Sequence, residues 1–314
     1  MTVEIVFTGP ANAVDWLDQE LGDRYNIIHV PAEANQLAGA LETADVLLDA
    51  SMLVPISARM IDAAGSLRLV ITATTGADHI DSNALDSRDI PLKTLRGQTE
   101  FLRNITPAAE LTWLLLMACA RRLRGAIQHV ESGGWDRQQF PGMMLRGRTV
   151  GVIGCGRIGT WVARYARAFD MQVLGYDPLL SEPDEIIEPT TLEDVFLRSD
   201  FIVLTLTFGP ETEGLIGTQE LSLMKKDATL INTSRGAIVR EQELLDGLKR
   251  GHPAFLGVDV LEGEPNIGNS KIWQYAKSHD NVIITPHIGG FSPDALEHVL
   301  RHTAKRIIAF FESD

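Results

Sequence analysis

Over the first hundred residues, short apolar runs alternate with segments whose apolar side chains recur every three to four positions. Residues 3–7, 25–30, 46–48 and 67–73 are rich in Val, Ile and Leu and read as strands. Residues 13–21, 36–42 and 57–64, between them, carry helical spacing. This alternation predicts parallel strands covered by helices on both faces. The stretch 107–132 reads as one long helix, stopped by Gly133 and Gly134. A second series begins at Arg148, with strands predicted over 149–153, 172–177, 201–206, 229–233, 255–258 and 282–285. Helices are predicted over 158–169, 240–249 and, with no strand after it, 293–312. The expected fold class is α/β, built as two doubly wound parallel-sheet domains.

Composition narrows the picture. A chain of 314 residues is long enough for two ordinary domains, and 45% hydrophobic with 22% charged residues is a soluble globular composition. Against 28 basic residues stand 42 acidic ones, a formal net charge of −14. That argues against broad affinity for nucleic acid or an anionic membrane, which needs clustered cations. It leaves room for a small anionic substrate held by a few local cations. Cys119 and Cys155 are too few for a disulfide framework, have no metal-ligand spacing, and suit a reducing cytosol. The opening MTVEIVFTGP reads as no signal peptide, and the apolar run 111–120 is half the length that spans a bilayer. A cytoplasmic location is expected.

The segment from Val150 to Gly159 contains G-x-G-x-x-G at Gly154, Gly156 and Gly159. Three glycines in six residues are a weak signal alone. Here they follow a predicted strand and open a predicted helix, and Asp177 ends the next strand 18 residues after Gly159. That context points to a dinucleotide site. Gly154 permits the tight turn, Gly156 lets backbone approach a pyrophosphate, and Gly159 allows close helix–strand packing. The N–H groups of Arg157 and Ile158 open the helix where the dipole favours phosphate. The Asp177 carboxylate suits a ribose diol and repels a 2′-phosphate, and Pro178-Leu179-Leu180-Ser181 supplies no arginine. NAD is expected rather than NADP; the plainer alternative is a structural turn.

Three polar stretches follow the later strands: Asn232-Thr233-Ser234-Arg235-Gly236, then Asp259 to Pro265, then Thr285-Pro286-His287. In an open parallel sheet such strand ends face the ligand crevice. There Arg235 can clamp a carboxylate and polarise a carbonyl, His287 can move a proton near neutral pH, and Glu264 can orient the imidazole. Taken singly, Arg235 could pair with a surface acid, Glu264 could be a turn residue and His287 a loop histidine.

With these motifs in this order, the chain resembles the D-isomer-specific 2-hydroxyacid dehydrogenases, in the phosphoglycerate dehydrogenase-like branch, over nearly its whole length. The resemblance implies a Rossmann-type NAD domain over 103–286, inserted into a flavodoxin-like substrate domain of 1–102 and 287–314. It implies an NAD-dependent interconversion of a D-2-hydroxy acid and its 2-oxo acid. His287 would donate or accept the proton, Glu264 would be its partner, and Arg235 would bind the substrate carboxylate and carbonyl. Thr233 and Asp259 would meet the cofactor, Asp259 at the nicotinamide carboxamide. Thr75, Gly76 and Ala77 would form the substrate loop, with the N–H groups of Gly76 and Ala77 on the carboxylate. A homodimer formed through residues 107–135 is implied as well. The rival on the same fold is an NAD(H)-sensing, corepressor-like protein.

The chain departs from the family pattern in places. Thr205-Leu206-Thr207 stands where many relatives have His-x-Pro, and the loop 273–281 reads as extended. Ala50-Ser51 stands where phosphoglycerate dehydrogenases carry Arg-Ser, so phosphoglycerate is not the expected substrate. His298 and His302 with Glu297 have a spacing that can bind metal, but a solvated helix face is the simpler reading and no metal is expected.

Overall fold

The computed structural model describes residues 2–180 and 184–313, leaving Ser181 outside the described residues. The chain divides into two compact units: unit 1 is Met1–Ile105 with Ser292–Asp314, and unit 2 is Thr106–Phe291.

Unit 1 contains strands β1 (Val3–Thr8), β2 (Tyr25–His29), β3 (Val46–Asp49), β4 (Leu69–Thr72) and β5 (Leu92–Lys93). Its helices are α1 (Val14–Leu21), α2 (Ala34–Leu41), α3 (Ala58–Ala63), α4 (Ser82–Asp86) and α5 (Thr99–Leu102). The sheet is parallel throughout in the order β2-β1-β3-β4-β5, the flavodoxin-like arrangement. Every residue of β3 and β4 is buried, as expected of strands covered on both faces. Alternate residues sort to the two faces. Ile5, Phe7 and Leu48 pack with Leu17 of α1 and with Leu300 and Ile307 of the last helix. Val6, Leu47 and Val70 pack with Leu37, Leu41 and Ile61.

Unit 2 opens with α6 (Pro107–Ala120) and α7 (Leu123–Glu131). Then come β6 (Thr149–Ile153), α8 (Arg157–Ala168), β7 (Gln172–Tyr176), β8 (Glu188–Pro189), α9 (Leu192–Arg198) and β9 (Phe201–Leu204). It closes with α10 (Thr218–Leu223), β10 (Thr229–Asn232), α11 (Glu241–Arg250), β11 (Phe255–Val258), α12 (Lys271–Ala276) and β12 (Val282–Ile284). The last helix, α13 (Pro293–Glu312), returns the chain to unit 1. Seven parallel strands run β12-β11-β10-β9-β6-β7-β8. The order reverses at β6, between β7 on one side and β9 on the other, and such a switch point is where open α/β sheets bind ligands.

The structure differs from the sequence reading in several places. The stretch 107–132 is two helices, because Arg122 adopts the left-handed conformation (φ 51°) and sets its guanidinium over the Phe255 ring at 5.2 Å. Residues 273–276 of the stretch 273–281 are helical, the end of α12. The chain passes from unit 1 to unit 2 at Thr106 and back at Ser292, three and five residues after the expected 103 and 287. Ile105 N–H still closes a turn onto Leu102, while residues 287–289 are bonded into unit 2 through Asp259. No described helix is long and apolar enough to cross a membrane.

Candidate functional site

The glycine turn lies at the switch point of unit 2, between β6 and α8. Gly154 has φ +94°, and a Cβ there would lie 2.8 Å from the Thr205 carbonyl carbon and oxygen. Gly159 presses so closely on the turn that a Cβ would overlap the Gly154 carbonyl oxygen. Gly156 is the opposite case: its Cβ direction meets nothing within 4 Å. It is also the N-cap of α8 and supplies no side-chain cap, so the first helix N–H groups, at Arg157 and Ile158, lack an intrahelical acceptor. Asp177 follows β7 directly. Its carboxylate accepts from Cys155 N–H at 2.9 Å and from Leu179 N–H at 3.0 Å, which holds it beside the turn. Burial lowers the pKa of Arg157 from its ordinary value. Thr205, one of the departures noted above, donates to the Gly154 carbonyl at 2.6 Å and so braces the turn from β9. Buried packing at two glycines and open space at the third, over a helix N-terminus, fit the pyrophosphate of a dinucleotide.

Arg235, Glu264 and His287 follow β10, β11 and β12, three adjacent strands. His287 Nδ1 bonds Glu264 Oε1 at 2.7 Å, with both side chains about one third exposed (35% and 29%). An ionised carboxylate only accepts, so Nδ1 carries the hydrogen in that bond, and a neutral ring then presents Nε2 as its basic nitrogen. His287 has φ 53°, a conformation rare for a side-chain-bearing residue. Asp259 holds it there. Its carbonyl accepts from His287 N–H at 2.9 Å, and its carboxylate accepts from Ile288 N–H (2.9 Å), Gly289 N–H (2.7 Å) and the Thr285 hydroxyl. Burial raises the Asp259 carboxyl above its ordinary value, partly offset by those three donors.

Arg235 is half-buried and donates to the Ser234 carbonyl at 2.8 Å. Its loop is fixed from below: Asn232 Nδ2 donates to the Arg235 carbonyl, Asn232 Oδ1 accepts from Ser234 N–H, and the Ser234 hydroxyl donates to Leu204. A Cβ on Gly236 would overlap the backbone of Leu261 and Glu262, so the loop carrying Arg235 rests directly on the loop leading to Glu264. Thr233 bonds the hydroxyl of Thr112 on α6 at 2.7 Å, and Thr112 is itself committed to the Ala108 carbonyl. Sequence reasoning missed Thr112, since nothing marks one threonine inside an apolar helix.

Thr75, Gly76 and Ala77 lie in unit 1, in the loop 73–81 that follows β4. Thr74 Oγ1 donates to the Gly76 carbonyl at 2.7 Å, and Ile80 N–H closes onto Ala77 at 3.0 Å. Among the described residues no group of three side chains is arranged to hold a metal ion. His302 instead stacks on Phe101 with centroids 3.8 Å apart and bonds Gln98 at 3.1 Å.

The helix N-terminus, the open glycine and the carboxylate beside them make unit 2 a dinucleotide-binding domain of the dehydrogenase kind. Residues 113–289 match the family model described as D-isomer specific 2-hydroxyacid dehydrogenase, NAD binding domain. A glyoxylate reductase of Korarchaeum cryptofilum is 36% identical over 263 residues, 82% of this chain and 76% of that protein. A D-3-phosphoglycerate dehydrogenase of Methanocaldococcus jannaschii is 35% identical over 266 residues, 83% of this chain but only 48% of that longer protein. The crystal structure of D-lactate dehydrogenase from Aquifex aeolicus complexed with NAD and lactic acid superposes with TM-score 0.84 at 27% identity, covering 99% of this chain and 96% of that one. The chain belongs to the D-isomer specific 2-hydroxyacid dehydrogenase family, and its NAD-binding domain is unit 2.

Proposed function

We propose that the protein interconverts a small D-2-hydroxy acid and its 2-oxo acid with NAD. The observation that carries this is the 2.7 Å bond between His287 and Glu264 at the carboxyl edge of an NAD-binding sheet. Bound NADH supplies the hydride that reaches C2 of the oxo acid, and NAD⁺ takes it back in the oxidative direction. His287 delivers a proton from Nε2 to the carbonyl oxygen, a role worth roughly 10²–10⁴-fold in rate. Glu264 orients the ring and stabilises its protonated form. Arg235 binds the substrate and polarises its carbonyl, and the amides of Gly76 and Ala77 in unit 1 serve as carboxylate donors. Gly154, Gly156, Gly159, Arg157, Ile158, Asp177 and Thr233 serve the cofactor. Asp259 retains one of its about four acceptor positions for the carboxamide after its three internal bonds.

Phosphoglycerate is a poor fit: Ala50 offers no charge, and the Ser51 hydroxyl is committed to Asp49 at 2.9 Å. The test is a panel of glyoxylate, hydroxypyruvate, pyruvate, phenylpyruvate, 2-oxoglutarate and 3-phosphohydroxypyruvate with NADH, followed by its absorbance. Turnover of the unphosphorylated acids above the phosphorylated one is expected. Tight NADH binding without turnover across the panel would favour a nucleotide-sensing protein instead.

The partner is a second copy of this chain. Leu114, Ile127, Val130 and Trp135 are 49–91% exposed on and beside α6 and α7, and such apolar exposure is at home in a homodimer interface. Solution scattering should return twice the mass of one chain; a monomeric mass overturns this. The two free, buried cysteines are consistent with a reducing cytoplasm.

A further inference from the structure

A second polar cluster lies in unit 1, at the carboxyl end of β3. The Asp49 side chain is 3% exposed yet receives five bonds. Its Oδ1 accepts from the Thr8 hydroxyl at the end of β1 and from both the amide (3.1 Å) and the hydroxyl (2.9 Å) of Ser51. Its Oδ2 accepts from Met52 N–H at 3.2 Å and lies 2.8 Å from His79 Nε2. Burial alone would raise the Asp49 carboxyl, but the bonds from His79, Thr8 and Ser51 outweigh it and hold it below its ordinary value. The carboxylate is therefore an acceptor, and Nε2 of His79 must carry the hydrogen between them. The other ring nitrogen, Nδ1, is buried and has no hydrogen-bond partner among the described residues. Among the described residues, Asp49 is therefore the one hydrogen-bond partner of the imidazole.

The two ends of this bond belong to different loops. Asp49 also holds Met52, which has φ 56°, in the loop after β3. His79 stands two residues beyond Ala77 in the loop after β4. The same loops meet again through backbone, where Ile56 N–H donates to the His79 carbonyl at 2.7 Å and Asp81 N–H to the Ile56 carbonyl at 2.9 Å. Those bonds fix the far end of the loop. On the near side, the Thr74 hydroxyl donates to the Gly76 carbonyl and Ile80 N–H closes a turn onto Ala77.

We propose that Asp49 and His79 are positioning residues, a buried tie that sets the Gly76–Ala77 amides at the spacing a carboxylate needs. This rests on the reading above that those amides bind the substrate carboxylate. Neither side chain touches substrate; both act through the loop, on the affinity for 2-oxo acids and not on that for NADH. A charge-assisted bond to a buried carboxylate is strong enough for its loss to displace a loop.

The test compares His79→Leu with His79→Gln, whose amide N–H reaches the position of Nε2. Glyoxylate and hydroxypyruvate are the substrates, NADH binding is followed by fluorescence, and hydrogen exchange is read on peptides covering 73–81. His79→Leu should raise KM by roughly tenfold or more, change kcat by less than about threefold and leave NADH affinity unchanged. Exchange of the loop peptide should quicken, and His79→Gln should restore both KM and protection. An unchanged KM or unchanged loop exchange in His79→Leu, or a His79→Gln protein as impaired as His79→Leu, would overturn the proposal. If the wild-type protein reduces no oxo acid, the proposed activity fails, and the exchange comparison alone then decides whether the tie exists.

Discussion

His287 occupies a backbone conformation that non-glycine residues rarely adopt, and the bonds from Asp259 show what keeps it there. A strained residue held by a neighbour's carbonyl and carboxylate is characteristic of functional sites. Replacing it by alanine removes the proposed proton donor but leaves the Asp259 scaffold and the glycine turn intact. His287→Ala should therefore lower kcat by roughly 10²–10⁴-fold while NADH binding by fluorescence stays within about twofold. A mutant retaining near wild-type turnover would remove His287 from the reaction. At this scale the sequence was informative where residues follow strands in one domain: Arg235, Glu264 and His287 could be read as a set from their places after β10, β11 and β12. It was silent where partners meet across long separations. Asp49 and His79 are 30 positions apart and Thr112 and Thr233 are 121 apart, and no local pattern joins them.

Among the elements, the β6–turn–α8 unit separates packing from binding in adjacent glycines. At Gly159 any added Cβ collides with backbone, whereas at Gly156 it enters open space. Gly159→Ala should lower the melting temperature of unit 2 and weaken NADH binding with it. Gly156→Ala should fold normally, with unchanged melting temperature, yet bind NADH less tightly because the methyl occupies the approach to the phosphates. Equal thermal losses in the two variants would contradict this division. The strands were legible because β3, β4, β6 and β9 to β11 are short apolar runs, and α13 because its amphipathic pattern runs for 20 residues. The short helices α4, α5, α9, α10 and α12, of four to seven residues each, show no periodicity that marks them. The break between α6 and α7 was hidden for another reason. It depends on Arg122 finding Phe255, a contact outside its own helix.

For the whole molecule, the two units carry opposite electrostatic liabilities. Asp49 in unit 1 has a lowered carboxyl pKa, so its contribution to stability is present above the ordinary value of 3.8 and is lost as pH falls through the lower folded-state value. Asp259 in unit 2 has a raised one, so burying its charge opposes folding once pH rises through that raised value. Acid should therefore weaken unit 1 through Asp49. Denaturation followed by hydrogen exchange on β3 peptides should show Asp49→Asn well below wild type near neutral pH, with the gap closing as pH drops below 3.8. A gap independent of pH would show that the charge of Asp49 is not what stabilises its surroundings. The net charge of −14 bears on binding rather than folding: an anionic substrate gains nothing from long-range attraction here, so local donors must hold it.

Unit 1 is interrupted by the 186 residues of unit 2 and is finished by α13, whose Leu300, Ala304 and Ile307 join Leu17 of α1 and Ile5 of β1 in one core. During synthesis the first 105 residues therefore emerge with one face of their sheet lacking part of its cover. Unit 2 is continuous in the chain and has every partner it needs by residue 291, so it can complete its core first. The nucleotide-binding half of the protein is thus expected to be folded while the half that carries the Gly76–Ala77 loop is still waiting on the ribosome for its last helix.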